Sequence, residues 1–314
     1  MNNNSEAIKI FCSHLCVGDG ILPLEPAEWS TLTRLLHRAN MQPEDLLNLS
    51  CGELKLKLQI DDKFSERLMR LIDRSASLAF ELSQYSNIGI NVVTRADNEY
   101  PIRLKKALGN TCPPLFYYAG NLQLLKERCV GYVGSRAIND EDLDFTKKTI
   151  AKTMAHGFWV VSGGAKGIDS ISENEALQLG GGVVEFLSDS LIRRLKVGVT
   201  NKAIQDGRLL LLSVVKPDAG FNTGIAMMRN RYIYAQSEGT VVIKSDYNKG
   251  GTWMGALENL KHGWCAEFCW DNKHYAGNQE LIKRKAIPIG EDWDGNVTEY
   301  GLSKNPTQIS LFED

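Results

Sequence analysis

The chain has 314 residues, of which 43% are hydrophobic and 24% charged, a balance that excludes collagen-like, coiled-coil and largely disordered classes. Its 36 basic and 38 acidic residues leave a formal net charge of −2, which excludes a protein that coats nucleic acid through bulk positive charge. A local basic site is compatible with that charge. At about 100–200 residues per domain, the length predicts two domains, or one large domain with an appendage.

Cysteine usage and the distribution of apolar residues indicate a cytoplasmic protein. The seven cysteines are odd in number and form no Cys-x-x-Cys pair, so a disulfide framework is not expected. The start of the chain is polar and no apolar signal region follows it. There is no run of about 18 apolar residues, so we expect no membrane span.

The first 95 residues have helical periodicity. Apolar residues recur at helical spacing in two stretches, which are Trp29, Leu32, Leu35 and Leu36, then Phe64, Leu68, Leu71 and Ile72. Pro43, followed by two acidic residues, is typical of a helix start. We therefore predict a helical N-terminal domain over residues 1–95.

Beyond residue 115, short apolar runs alternate with amphipathic stretches. The runs, predicted to be strands, are 115–118, 129–133, 158–161, 182–187, 209–214, 240–243 and 264–268. The predicted helices between them are 142–156, 169–179, 190–205, 224–236 and 252–261. This alternation is typical of βαβ units and a sheet buried on both faces. The fold class is therefore α/β, with a Rossmann-like three-layer domain and a mostly parallel sheet over residues 96–290.

Three glycine-containing loops follow predicted strands and precede predicted helices. They are Gly134-Ser135-Arg136, Ser162-Gly163-Gly164-Ala165-Lys166-Gly167-Ile168-Asp169 and Lys249-Gly250-Gly251-Thr252. In a parallel sheet such loops gather at the carboxyl edge, where ligands bind. Glycine lets backbone N–H groups approach an anion, and each loop holds a cation, Arg136, Lys166 or Lys249. One loop alone would indicate a tight turn, but three predict binding of phosphate, in a nucleotide or a nucleic-acid backbone.

Other chemistry has weaker support in these loops. Neither the P-loop pattern nor Gly-x-Gly-x-x-Gly occurs there, so no cofactor is expected. Asp169 is the one carboxylate, and it would cap its helix or orient Lys166. His262, Cys265, Cys269 and His274 have a spacing that fits no usual zinc pattern, so no metal is expected. No nucleophile–base arrangement is present, which argues against an enzyme.

A second basic cluster, Arg229-Asn230-Arg231, lies in a predicted helix. Arginines beside aromatic residues suit single-stranded nucleic acid, because cations follow the backbone while rings stack on bases. Tyr232 and Trp253 are candidate stacking platforms, although packing is the commoner role of an aromatic residue in an α/β layer. Arginines are costly to bury unpaired, which favours a functional role for this pair.

The second glycine loop resembles the central Ser-Gly-x-Ala-[Arg/Lys]-Gly-Ile-Asp motif of the DprA (Smf) DNA-processing family. Other segments resemble further family motifs in the same order: Glu99-Tyr100-Pro101 with Leu104, Pro113-Pro114-Leu115-Phe116-Tyr117 with Gly120, Val133-Gly134-Ser135-Arg136, Arg229-Asn230-Arg231 with Ile233, Lys249-Gly250-Gly251-Thr252, and Gly277-Asn278 with Leu281-Ile282. The resemblance covers residues 96–290, and the helical region 1–95 is similar to the helix-hairpin or SAM-like N-terminal region of the family.

This resemblance implies a function. Members of the family bind and protect single-stranded DNA and help to load the recombinase RecA during natural transformation. Their domain is an extended Rossmann fold that is usually dimeric, with DNA held in a basic pocket at the carboxyl edge of the sheet. By motif, the phosphate contacts fall on Arg136, Lys166, Arg229 and Arg231. We expect alanine at Arg136, Lys166 or Arg229 to weaken DNA binding with little change in stability.

Departures from the family pattern indicate a divergent branch. Asp169 is followed by Ser172 and Glu173 in place of Ala-His, and a strand that often ends in glutamate ends in Lys244. Gly250-Gly251-Thr252-Trp253 replaces Ser-Gly-Ser-Leu, and the winged-helix domain of many members has no counterpart. Defence against foreign DNA is therefore an alternative to transformation.

The end of the chain has a different charge. The last 25 residues contain six acids against one lysine, a net charge of −5, so the first 289 residues carry +3. We predict that residues 291–314 form a flexible acidic tail. Its segment Gln308-Ile309-Ser310-Leu311-Phe312 resembles the peptide that binds the bacterial sliding clamp, with Leu311 and Phe312 entering apolar pockets and Gln308 at the rim. The alternative is that these residues dock on their own domain.

Two further functions are alternatives. Residues 250–258 are related to the Gly-Gly-x-Gly-Thr-x-x-Glu loop of LOG phosphoribohydrolases, but with a different spacing, which leaves a nucleotide-binding sensor or hydrolase open. The other alternative is an adaptor recruited to the sliding clamp by the tail.

Overall fold

The computed structural model of this protein describes residues 2–18 and 20–298. Its contacts divide the chain into two compact units. Unit 1 lies within Met1–Lys126 and Leu187–Ile225, and unit 2 within Glu127–Phe186 and Ala226–Asp314. The domain boundaries predicted at residues 95 and 290 stay predictions, because a division by contacts does not show which segment folds on its own.

Unit 1 starts with five α-helices. They are α1 (Asn3–Cys12), α2 (Pro26–Arg38), α3 (Cys51–Leu58), α4 (Asp62–Asp73) and α5 (Ser75–Asn87), with a 3₁₀ turn at Pro43–Asn48. Asn2, Ser50 and Asp61 begin three of these helices, because each side chain accepts a hydrogen bond from a backbone amide of the first turn. The prediction of a helical N-terminal region is thus confirmed.

The described residues contain nine strands: β1 (Asn91–Thr94), β2 (Leu115–Gly120), β3 (Cys129–Val133), β4 (Trp159–Ser162), β5 (Val183–Leu187), β6 (Leu209–Ser213), β7 (Gly239–Val242), β8 (Ala266–Trp270) and β9 (Ile287–Ile289). In unit 1, β2 pairs antiparallel with both β1 and β6, with Tyr117 opposite Val92 and Ser213. These pairings differ from the parallel arrangement that the alternation of elements predicts. β1 was not predicted, because its two apolar residues, Val92 and Val93, lie between polar residues and form too short an apolar run.

Unit 2 holds the parallel part of the sheet. Its strands lie in the order β5-β4-β3-β7-β8-β9, and every neighbouring pair is parallel. Most residues of these strands are buried, as in sheets covered by helices on both faces. A mostly parallel α/β fold is thus confirmed. Gly131 in β3 allows close packing, since a Cβ there would lie 2.7 Å from the hydroxyl of Thr240 and 2.8 Å from that of Ser237.

The remaining helices complete the two units. Unit 1 contains α6 (Ile102–Leu108), α9 (Leu191–Leu195) and α10 (Gly198–Gln205), and unit 2 contains α7 (Asp140–Ala155), α8 (Ile168–Gln178), most of α11 (Thr223–Gln236), α12 (Gly250–His262) and α13 (Ala276–Lys283). The single helix predicted over 190–205 is in fact two, because Val197 is extended between α9 and α10. Among the described residues, no helix has the length and apolar character needed to cross a membrane.

One buried side chain fixes the loop after β7. Asn278 on α13 donates hydrogen bonds to the carbonyls of Ile243 and Trp270, both at 2.9 Å, and accepts one from the amide of Ser245 at 2.8 Å. The neighbouring Gly277 must be glycine, since a Cβ there would lie 2.1 Å from the carbonyl oxygen of Ser245. The chain that leads into the third glycine loop is therefore anchored.

Candidate functional site

The three glycine loops lie at the carboxyl edge of the parallel strands of unit 2. β3 lies between β4 and β7, so the loop that follows β3 is the central one. Its Ser135 accepts a hydrogen bond from the amide of Ile168 at 3.3 Å and donates its own amide to the carbonyl of Lys244 at 3.0 Å. The structure thus brings together the loops that follow β3, β4 and β7.

Two glycines are required by the contact between the first and second loops. Gly167 has φ +79°, and a Cβ there would lie 2.3 Å from the carbonyl oxygen of Ser135 and 2.7 Å from Cα of Arg136. A Cβ on Gly134 would lie 2.4 Å from the side chain of Ile168. A side chain at either position would therefore push apart the backbone that carries Arg136.

The second loop packs against an arginine of α11. A Cβ on Gly163 would overlap Nη1 of Arg229, at 1.1 Å, so the guanidinium occupies the space that a side chain would need. The same Nη1 lies 3.7 Å from Oδ2 of Asp169, and the two side chains are only 5% and 10% exposed. Asp169 also accepts a hydrogen bond from the amide of Ala165 at 3.3 Å. Its partners are thus Arg229 and the loop backbone, whereas the sequence suggested capping or contact with Lys166.

Burial controls the electrostatics of this pair. Desolvation raises the pKa of Asp169 and lowers the pKa of Arg229, and each group opposes the shift of the other through their attraction. Nε and Nη1 of Arg229 have no hydrogen-bond partner within the described part of the chain. Arg229 is therefore a buried cation against the Gly163 backbone with unused hydrogen-bonding capacity.

The third loop is tied to the same helix. Nδ2 of Asn230 donates to the carbonyl of Gly251 at 3.0 Å, and a Cβ on Gly255 would lie 3.1 Å from the ring of Tyr234. Lys249 precedes the first turn of α12 without a side-chain cap, which leaves helix-terminal amides available to an anion. Gly250, with φ +82°, lies at the turn from Lys249 into α12.

The predicted site residues differ in exposure. Arg136, Lys166 and Lys249 are exposed. Arg231 is 26% exposed and pairs with Glu258 at 3.2 Å. Arg229, at 4%, is buried, which argues that its removal lowers stability, in contrast to the small change expected from the sequence.

The remaining predicted residues form the floor and turns of the loops. Ser162 is fully buried, with its hydroxyl 3.5 Å from the carbonyl of Tyr132. The partly exposed residues are Gly134, Ser135, Gly164, Gly167, Asn230, Gly251 and Thr252. The DNA-binding roles assigned to all of these residues stay predictions.

Lys244, where the family often has glutamate, has a partner in the structure. Its Nζ lies 2.9 Å from Oδ2 of the fully buried Asp142, which also accepts a hydrogen bond from Tyr275 at 2.5 Å. Burial, followed by the bond to Asp142, raises the pKa of Tyr275 to about 12. Because Lys244 also supplies the carbonyl that holds Ser135, this buried pair supports the central loop.

The prediction that Tyr232 and Trp253 are stacking platforms is wrong. Tyr232 is 3% exposed and Trp253 is 1% exposed, so neither ring can receive a base. An exposed aromatic residue near the third loop is Tyr247, at 55%, whose ring meets Trp253 edge-on with centroids 5.2 Å apart. Sequence reasoning missed Tyr247, and its one signal was its position two residues before Lys249.

Other parts of the chain add little to the site. Among the described residues, no group of three or more His, Cys, Asp and Glu side chains could hold a metal ion. The predicted clamp peptide, with Gln308, Leu311 and Phe312, lies outside the described residues.

Comparisons with known proteins agree on one family. The model of the family "DNA recombination-mediator protein A" matches residues 91–297. The DNA processing protein DprA of Streptococcus pneumoniae is 30% identical over 190 residues, which are 60% of this chain and 63% of that protein. The DprA protein of Bacillus subtilis is 29% identical over 58% of this chain and 61% of its own length. The chain thus matches less than two thirds of the length of these relatives.

Solved structures show the same fold. The X-ray structure of DprA from S. pneumoniae has a TM-score of 0.70 at 22% identity, over 91% of this chain and 94% of that one. A structure of DprA from Helicobacter pylori, described as giving insights into its single-stranded DNA binding mode, has a TM-score of 0.53 at 21% identity, over 67% of this chain and 93% of that one.

Proposed function

Since this chain belongs to the DNA recombination-mediator protein A (DprA) family, we propose that it is a non-enzymatic protein that binds single-stranded DNA and passes it to recombination machinery. Relatives are named DNA processing proteins, and the H. pylori structure concerns single-stranded DNA binding. The site described above supports the same role for this chain.

One observation carries the proposal. Three exposed cations, Arg136, Lys166 and Lys249, stand on three loops that are joined to each other or to α11 at one edge of the sheet. Their loops are rich in glycine, so backbone amides are accessible beside each positive charge. Such an arrangement suits a chain of phosphates better than one isolated anion, because the charges are spread along an edge.

The buried cation has a different role in this proposal. Arg229 fills the space beside Gly163 and pairs with Asp169, so it sets the shape of the second loop. Lys166 and Arg136, being exposed, would make the direct contacts.

The test is single-stranded DNA binding by two variants, Arg136→Ala and Lys166→Ala, measured by fluorescence anisotropy at several salt concentrations. Each variant should bind about tenfold more weakly, and the slope of log affinity against log salt should become shallower by roughly 0.7 for each phosphate that the protein no longer neutralises. Lys283→Ala is the matched control, since Lys283 is a 74% exposed lysine at the end of α13. Unchanged affinity and salt dependence in both loop variants would overturn the proposal.

The nucleotide hydrolase is the enzymatic alternative. Glu258, the acid that would complete a LOG-like loop, is ion-paired with Arg231 on the neighbouring helix. We expect no base release from nucleoside monophosphates. Base release that disappears in Arg136→Ala would replace the binding role with a hydrolase.

Further partners and the setting are proposed from the family and the tail. We infer a cytoplasmic homodimer that hands DNA to a RecA-type recombinase, in transformation or in defence against foreign DNA. Recruitment to a sliding clamp through Leu311 and Phe312 stays a prediction.

A further inference from the structure

Most of the exposed apolar side chains of unit 2 are close in sequence to the predicted site residues. The described part of unit 2 has six large hydrophobic residues that are exposed: Ile138, Leu179, Met227, Met228, Tyr247 and Met254. All but Leu179 lie within two residues of a predicted site residue, namely Arg136, Arg229, Lys249 or Thr252. We call these five residues the apolar rim. Phosphate binding alone gives no reason for them, because a phosphate offers no apolar surface.

Tyr247 is the aromatic member of this rim, and its position is fixed. The ring of the buried Trp253 packs against it at an interplanar angle of 78°. Its loop is anchored before it, where Asn278 binds the amide of Ser245, and after it, where Asn230 binds the carbonyl of Gly251. A ring that is held in place before binding loses little conformational entropy when a flat ligand stacks on it.

We propose that Tyr247 stacks on a base of the bound strand and so gives the site its preference for single-stranded over duplex DNA. This inference rests on the proposed function. Duplex DNA hides its base faces in the stack, whereas a single strand can present a base to a ring while its phosphates contact Arg136 and Lys249. Stacking on one ring changes affinity by about 5- to 150-fold when the ring is removed.

The experiment compares Tyr247→Ala and Tyr247→Trp with the unmodified protein on three DNAs of one length: oligothymidine, an abasic single strand, and a duplex. Tyr247→Ala should bind oligothymidine about tenfold more weakly, bind the abasic strand unchanged, and keep the salt dependence of the unmodified protein. Tyr247→Trp should retain affinity for oligothymidine. Phe80→Ala, which removes a 68% exposed aromatic side chain from α5, is the control.

The outcomes separate this inference from the proposed function. If Arg136→Ala weakens binding but Tyr247→Ala binds oligothymidine normally, the stacking role fails and the DNA-binding role survives. An equal loss of affinity by Tyr247→Ala on oligothymidine and on the abasic strand would also overturn stacking, since the ring would then only support the loop. If the unmodified protein binds no single-stranded DNA, the proposed function itself fails.

Discussion

Replacing Arg229 by methionine should destabilise the protein strongly, although the residue lies in a motif that the sequence assigns to DNA contact. Methionine keeps an unbranched apolar stem but lacks the guanidinium group and its charge. Asp169 would then remain buried without its cation, and no guanidinium would pack against Gly163.

The magnitude follows from the geometry of the pair. Two unit charges 3.7 Å apart attract each other by about 4–5 kcal/mol at an effective dielectric constant of about 20. Removing one partner of a buried ion pair costs about 3–5 kcal/mol, because the other charge remains desolvated. For a unit of this size, that loss corresponds to a fall in Tm on the order of 10 °C.

The assay is thermal unfolding followed by circular dichroism, with two comparison variants. Arg231→Met removes an arginine two positions along the same helix, whose pair with Glu258 is partly exposed, and it should cost less than about 1 kcal/mol. The double variant Arg229→Met/Asp169→Asn should recover part of the stability, since no buried charge is left alone.

The dependence on pH gives a further check of the same reasoning. Burial already raises the pKa of Asp169, and loss of Arg229 removes the attraction that opposes this shift. In Arg229→Met, the Asp169 carboxyl group therefore takes up a proton more readily in the folded state than in the unfolded state. The difference in stability between this variant and the unmodified protein should shrink as the pH is lowered. A Tm for Arg229→Met that equals that of Arg231→Met at neutral pH would refute the buried-pair argument.

Two more predictions concern a glycine and a buried acid. Gly167→Ala should lower both stability and DNA affinity, because the new Cβ would collide with the carbonyl oxygen of Ser135. Gly180→Ala is the control, since Gly180 has a similar φ of +81° but no atom near the position of its Cβ. This variant should lose only about 1–3 kcal/mol of stability, from backbone strain. Equal unfolding midpoints for these two alanine variants would show that the loops do not interlock. Burial raises the pKa of Glu267 to about 8, and the hydrogen bond from Asn259 opposes this shift only in part. The folded protein therefore holds this proton more tightly than the unfolded chain does, so stability should fall as the pH rises from the ordinary glutamate pKa through about 8. The Tm of Glu267→Gln should change less over this range, and parallel Tm curves for the two proteins would contradict the assignment.

Much of the site could be predicted because its elements are local in sequence. Each glycine loop follows a short apolar run and precedes an amphipathic stretch, and parallel strands bring such loops to one edge. The predicted strand 129–133 agrees with β3 at both ends. The strands β1 and β9 were missed because neither contains a continuous run of apolar residues of the length seen in the other strands: Val92 and Val93 lie between two polar residues, and Pro288 interrupts β9.

Burial could not be predicted in the same way. Arg229 and Arg231 share one motif and one helix, yet one side chain lies against Gly163 and Asp169 while the other is partly exposed beside Glu258. The aromatic residues show the same effect, since Trp253 is covered and Tyr247 is not. In each case the partner that decides exposure comes from a distant part of the chain or from the fold of a loop.

The amino-acid sequence by itself determined most of the alternation of strands and helices, the glycine loops between them and the family of the protein, because these depend on residue types at short spacing. Only the tertiary structure decided which cations can meet a phosphate, which arginine is held inside, and which ring is exposed beside them. The physical reason is that exposure depends on contacts between segments, such as Gly163 with Arg229 and Ser135 with Gly167, that no local pattern records.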